Sequence, residues 1–281
     1  MDQKYINLFD RFTHGGMNRR DFMEKLALLA GSTTAATALL PLLENNYARA
    51  DILPEGDPRI VSQTLEFPGG AGYFVKPSAE GRYPGVVVIH ENRGLNPHIK
   101  DVARRMAAEG FAVLAVDYLH GLGGTPEDAD KARDMIGTLT PEGINATSSA
   151  ALAAVKANPA SNGKSGAMGF CWGGGAANDL AVNDPGLSAG VAYYGRQPAD
   201  ADVPKISAPL LLQYGGLDER INAGIPAFEA ALKANNKVYE LYVYEGANHA
   251  FNNDANAARY NKDVAELAWS RTVAFLKKYV S

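Results

Sequence analysis

From about residue 60 onward the chain alternates short apolar runs with longer amphipathic stretches. Gly85-Val86-Val87-Val88-Ile89 is a continuous β-branched run, the pattern of a strand buried on both faces. Phe111 to Val116, Gly166 to Phe170, Ala189 to Tyr194, Leu210 to Tyr214 and Val238 to Tyr244 predict further strands. Between them, helical periodicity covers His98 to Glu109, stopped by Gly110, then Asp128 to Leu139 and Glu142 to Ala157, separated by Pro141. It returns over Gly175 to Val182, Ala227 to Ala234 after Pro226, and Asp263 to Tyr279. Gln63 to Phe67 and Gly72 to Val75 predict an opening antiparallel pair about the Gly69-Gly70 turn. Strands and helices alternating in this way imply a mainly parallel sheet covered on both faces, with ligands at the carboxyl ends of the strands. No repeat or Pro-rich or Ser-rich linker divides residues 51–281, which read as one α/β domain.

Residues 1–50 differ from the rest and admit two readings. Arg19-Arg20-Asp21-Phe22, a mildly apolar middle from Leu26 to Leu43, and Ala48-Arg49-Ala50 resemble a twin-arginine export signal, which would place the mature protein in the periplasm. Glu24 and Lys25 interrupt the apolar stretch, and Tyr5, Ile6, Leu8, Phe9 and Phe12 give the first seventeen residues a helical stripe of their own. The second reading is therefore a retained helical arm, packed on the body or on the second subunit of a homodimer, in a cytoplasmic protein. The apolar run is too short and broken for a stable membrane span.

Composition narrows the partners. A net charge of −4, with no basic stretch interleaved with aromatics, argues against nucleic acid and for a small molecule. A single cysteine excludes an internal disulfide and multi-thiolate metal sites. The five histidines form no i, i+4 pair and there is no HExxH, so no metal site is expected; Gly121 to Gly124 lacks the Lys-Ser/Thr ending of a phosphate loop. Nothing in these motifs requires a cofactor.

That cysteine carries the chemistry. Gly169-Phe170-Cys171-Trp172-Gly173-Gly174 follows an apolar run and has the form of a G-x-S-x-G nucleophile elbow with sulfur for oxygen. Asp218 and His249 each follow a predicted strand, in the order nucleophile, acid, histidine that α/β-hydrolases use. Glu91 follows the strand ending Ile89-His90. The backbone N–H groups of Trp172, opening the elbow helix, and of Asn92 stand where an oxyanion forms. Taken singly, Asp218 also suits a helix cap and His249 a surface site.

These motifs resemble the dienelactone hydrolase (carboxymethylenebutenolidase) family over about residues 60 to 280. The elbow, Gly215-Gly216-Leu217-Asp218, Gly246-Ala247-Asn248-His249-Ala250-Phe251 and His90-Glu91-Asn92-Arg93-Gly94-Leu95-Asn96 are the four matching segments. The resemblance implies an α/β-hydrolase fold and a Cys171, Asp218, His249 triad that cleaves a small ester or lactone through a thioester. It also implies a Glu91 carboxylate that interacts with the resting thiol; the other reading of Glu91 is an ion pair with Arg93 or Arg196. Family members that cleave the anionic dienelactone place an arginine soon after the catalytic histidine, where this chain has Asn252-Asn253. Arg93, Arg133 or Arg196 is left to hold a carboxylate, Arg93 being nearest in sequence to Glu91. Trp172 and Phe251 are expected to form an apolar wall, which suits a neutral or bulkier ester. A broad carboxylesterase or thioesterase, or a non-catalytic relative of the same fold, would carry many of the same residues.

Overall fold

The structure is a computed structural model that describes residues 1–47 and 52–281. Eight strands form one sheet: β1 (Ile60–Phe67), β2 (Gly70–Pro77), β3 (Tyr83–Ile89), β4 (Ala112–Asp117), β5 (Ser161–Phe170), β6 (Ala189–Tyr193), β7 (Leu210–Gly215) and β8 (Tyr239–Tyr244). Their spatial order is β1-β2-β4-β3-β5-β6-β7-β8. β1, β2 and β4 pair antiparallel at one side, and every pairing from β4 to β8 is parallel. Ten α-helices among the described residues accompany them: α1 (Gln3–Thr13), α2 (Arg19–Ala30), α3 (Thr33–Leu43), α4 (Pro97–Ala108), α5 (Ala129–Ile136), α6 (Pro141–Ala157), α7 (Trp172–Asn183), α8 (Glu219–Asn222), α9 (Ile225–Ala234) and α10 (Lys262–Val280).

The β-branched runs are explained by what lies on each side of them. Successive strand side chains point to opposite faces. Val86 and Val88 accordingly enter a core with Ile99 and Met106 of α4 and Phe275 and Leu276 of α10. Val87 and Ile89 enter a second core with Leu152 of α6, Leu180 of α7 and Phe228 of α9. Both faces are covered, so the middle strands have no polar alternation to show. Pairing extends the first two strands beyond the expected five and four residues to eight each, because register with β2 continues to Ile60 opposite Pro77. The elbow helix starts at Trp172 rather than Gly175, directly behind the nucleophile position.

The N-terminal helices make a small core of their own against the body. Phe9, Phe12, Phe22, Leu26, Ala36 and Leu43 are buried together, with the Phe12 and Phe22 rings stacked at 4.6 Å. Gly31 ends α2 at φ 84°, the left-handed conformation a glycine adopts without a Cβ clash, and Ser32 caps α3 by accepting from the Ala35 N–H. The apolar stretch therefore bends by 111° between α2 and α3. No single helix among the described residues is long and apolar enough to cross a membrane, although this bent pair passes on length and composition together. The arm is tied down at both ends: Gln3 Nε2 donates to Asn248 Oδ1 (2.5 Å), Asn46 N–H to the Ala255 carbonyl (2.7 Å), and Asn256 Nδ2 to the Leu43 carbonyl (2.6 Å). Ala48-Arg49-Ala50, the expected cleavage motif, lies outside the described residues.

Candidate active site

β5 delivers Cys171 to the carboxyl edge of the sheet through a turn that its neighbours permit. The residue sits at φ 55°, ψ −113°, a conformation that costs a non-glycine residue of order 1–3 kcal/mol. A Cβ on Gly169 would lie 1.9 Å from the Gly173 carbonyl oxygen, and one on Gly173 2.4 Å from the carbonyl oxygens of both Ile89 and His90. Only glycines let three chain segments approach so closely. Cys171 N–H donates to the Tyr193 carbonyl (3.0 Å), and its own carbonyl accepts from Gly175 (3.2 Å), which holds the strained turn in place.

Asp218 follows β7 and His249 follows β8. His249 Nδ1 lies 2.5 Å from Asp218 Oδ2, while Asp218 Oδ1 caps α8 through the Ile221 N–H (3.3 Å). An ionised carboxylate only accepts, so the proton on this ring is held at Nδ1 and Nε2 is left for the cleft. Nε2 is buried and lacks a hydrogen-bond partner within the described residues. The structure brings these motifs together, with Cys171, Asp218 and His249 all buried.

A fourth group joins them from the far end of the chain. His14, the residue capping α1 at its C-terminus, places Nε2 3.2 Å from Cys171 Sγ and packs edge-on to the His249 ring at 4.7 Å. Its Nδ1 lies 2.7 Å from the Asp10 carbonyl oxygen and 3.2 Å from the Asp10 carboxylate. One donor atom each of His14, Cys171 and His249 fall within 4.8 Å of one another, the one group of His, Cys, Asp and Glu among the described residues spaced for a shared cation. The 3.2 Å separation of Sγ from Nε2 is that of a hydrogen bond, shorter than the roughly 3.5 Å set by Zn–S and Zn–N bonds at a tetrahedral angle. The absence of paired histidines along the chain did not reveal this cluster, because its members are joined only by tertiary folding.

The electrostatics favour charge on all three. Burial pushes the Cys171 thiol up, but His14 and His249 outweigh it and bring the thiol down to about 6. Burial pulls His14 down and is outweighed by Cys171 and Asp10, leaving it raised. His249 is raised well above the usual imidazole range, burial being overcome by Asp218, Cys171 and Asp10.

The remaining expected residues divide. Glu91 is buried in the same cavity as Cys171, but its Oε2 accepts from Asn253 Nδ2 (2.7 Å) and its Oε1 has no hydrogen-bond partner among the described residues. The thiol's hydrogen bond goes to His14, and neither arginine pairs with Glu91: Arg93 binds Asp130 (2.8 Å) and the Ala129 carbonyl (2.6 Å), and Arg196 binds Asp179. Arg133 likewise pairs with Asp130 and Asp134. Asn92 donates its side-chain amide to the Thr13 carbonyl (2.7 Å), so the loop carrying the expected oxyanion donor is braced by the arm. Trp172 stacks on His90 (5.3 Å) and lines a cavity beside Cys171. Phe251 does not: it is fully buried, edge-on to Tyr194 and Tyr244, and supports the histidine loop from the core. Its ring packs among Tyr193, Tyr194 and Tyr244, away from the cleft.

Two cavities are lined by Cys171, His249 and Asn92, and both by Thr13 and His14 as well. The smaller, about 210 Å³, is lined by Glu91, Arg93, Tyr47 and Arg259; the larger, about 560 Å³, by Trp172, Ile136, Ile144, Tyr194 and Arg196. Three of these lining groups had no local sequence signal. His14 ends an amphipathic stripe whose destination is not written in it. Tyr194 stands at φ 41° with its ring 5.0 Å from His249 and its hydroxyl without a hydrogen-bond partner among the described residues. Arg259 is a buried guanidinium whose Nε has no hydrogen-bond partner among the described residues.

A parallel-stranded sheet that presents an elbow residue, a carboxylate and an imidazole in this order defines an α/β-hydrolase. A model of the dienelactone hydrolase family matches residues 71–280. The chain belongs to the dienelactone hydrolase family, whose members act on ester and lactone bonds. It is 34% identical over 229 residues, 69% of this chain and 88% of the relative, to a protein of Saccharolobus solfataricus described as a carboxymethylenebutenolidase. An Escherichia coli K12 protein of the same description is 32% identical over 82% of this chain and 89% of its own length. Among solved structures, one described as a dienelactone hydrolase of Klebsiella pneumoniae superposes with a TM-score of 0.70 at 28% identity, over 78% of this chain and 99% of that one.

Proposed function

We propose that the chain is a cysteine-dependent hydrolase that cleaves a small ester or lactone through a thioester acyl-enzyme. The observation that carries the reading is Cys171 on a strained elbow beside a His249 whose Nδ1 is held by Asp218 at 2.5 Å. The Cys171 thiolate adds to the carbonyl carbon, and the π electrons move to the oxygen, where the N–H groups of Trp172 and Asn92 receive the charge. Collapse expels the alkoxide, which takes a proton from the His249 imidazolium. Neutral His249 then removes a proton from water, hydroxide adds to the thioester, and the thiolate leaves as the acid is released.

A neutral or modestly polar substrate suits the surroundings. Arg93, Arg133 and Arg196 are each engaged by carboxylates, so an anionic substrate would compete with existing ion pairs, whereas the larger cavity offers Trp172, Ile136 and Ile144. Replacement of Cys171 by Ala is expected to abolish turnover of activated aryl esters. Mass spectrometry of the wild-type protein quenched during turnover is expected to find an acyl adduct on Cys171. Undiminished turnover by Cys171→Ala would refute the reading.

A further inference from the structure

We propose that His14 is a catalytic residue of this enzyme, carried into the site by a retained N-terminal arm, and that its imidazolium holds the Cys171 sulfur as a thiolate. The inference rests on Cys171 being the nucleophile and goes beyond it, since His14 lies outside residues 71–280 that match the family.

His14 is positioned in the same way as His249. Each ring has an oxygen acceptor behind Nδ1, the Asp10 carbonyl at 2.7 Å for His14 and the Asp218 carboxylate at 2.5 Å for His249. A carbonyl oxygen only accepts, so Nδ1 of His14 carries a proton and Nε2 is the atom that addresses the sulfur at 3.2 Å. Protonation of Nε2 makes an imidazolium, which three features favour. The Asp10 carboxylate is 3.2 Å away; the ring stands at the C-terminal end of α1, where the helix dipole is negative; and the thiolate faces it. Asp10 is in turn located by the body, 3.4 Å from Arg220 and 3.7 Å from Arg259.

The arm does not plug the site. Cavities of about 210 and 560 Å³ are each lined by Thr13, His14 and Cys171. A group that merely blocked the nucleophile would fill that approach. With His14 in place both cavities still include Cys171 in their walls, so space for an acyl chain and a leaving group remains. The proton of His14 stays on His14 through the cycle: it stabilises the thiolate before attack and again when the C–S bond breaks, while His249 alone exchanges protons with alkoxide and water. The charged groups around the pair are Asp10 on the arm and His249, Asp218 and Glu91 on the body, with Arg220 and Arg259 behind Asp10.

The test uses the full-length chain and the variants His14→Gln and His14→Ala, with folding checked by melting temperature. Thiolate ultraviolet absorbance is followed against pH, together with kcat and KM for an activated ester. The expected result is a thiolate titration moved upward by about two units, and kcat at neutral pH lower by about tenfold with KM little changed. The loss should shrink as pH rises and the thiol ionises unaided. A structural role would move the melting temperature and leave the thiolate titration in place, and that outcome overturns the inference. Higher activity in either variant would also overturn it, by making the arm an inhibitor. An intact mass from the native host that begins after Ala50, with full activity, would do the same. Inactive Cys171→Ala beside wild-type-like His14 variants sinks this inference alone, whereas active Cys171→Ala sinks the nucleophile on which it depends.

Discussion

The pH at which Cys171 reacts with iodoacetamide gives a quantitative test of the charge arrangement around the sulfur. An ordinary thiol ionises near ~8.5 and is about 3% thiolate at pH 7. Cys171, brought down to about 6 by His14 and His249 against the opposing effect of burial, would be about 90% thiolate at the same pH. The native protein therefore holds about thirtyfold more thiolate at pH 7, a difference worth about 2 kcal/mol at that pH. Alkylation followed by mass spectrometry is expected to rise through a midpoint near 6 and to be nearly flat from pH 7 to 9. The sign for stability follows from the same shift. A depressed thiol contributes stability fully above its unfolded value of about 8.5 and loses it as pH falls through the folded value. The raised imidazoles, His14 and His249, contribute fully below their unfolded value of about 6.5 and lose it as pH rises through their folded ones. The ion pairs are thus at their best between the folded thiol value and the folded imidazole values, and the melting temperature is expected to fall on the acid side of about 6. An alkylation midpoint near that of a free thiol would refute the reasoning, because it would mean that neither imidazole is charged beside the sulfur.

Two further outcomes probe the frame and the specificity of the site. Gly173→Ala is expected to destabilise the protein by about 1–3 kcal/mol or more, read as a lower urea midpoint together with lost activity, because the new Cβ would meet two main-chain oxygens at 2.4 Å that cannot swing aside; an unchanged midpoint would show that the elbow has slack. Arg93→Ala is expected to lower kcat/KM for neutral and anionic lactones alike, since its guanidinium is engaged by Asp130. A selective loss on anionic lactones of more than about tenfold, or 1.4 kcal/mol, would instead assign it to substrate carboxylate recognition.

The strands were readable from the chain because burial on both faces leaves no polar position in runs such as Val86 to Ile89. Their ends were less so, as with β1 and β2, where cross-strand pairing carries the ladder past the apolar residues. Cys171, Asp218 and His249 were readable because each is attached to a local motif, glycine turns above all, written in residues a few positions apart. Glu91 was placed in the right loop, but its hydrogen-bond partner was not foreseen, since Asn253 arrives from a different strand end. Phe251 was assigned to the cleft because of its neighbour, while the direction of its side chain is set by the rings of Tyr194 and Tyr244 that pack against it.

By itself, the sequence determined the strand and helix alternation, the elbow with its sulfur, and the order of acid and imidazole behind it, because each of these is written in residues a few positions apart. Tertiary structure decided which groups meet that sulfur. His14 and Cys171 are 157 positions apart, and nothing near either one encodes their approach. It follows from an aromatic cluster around Phe9, Phe12 and Phe22, and from polar tethers at Asn46, Asn256 and Gln3, that seat the arm on the body. The charge on a buried thiol depends on its neighbours in space, so the chemistry of Cys171 belongs to the folded chain as much as to the motif that carries it.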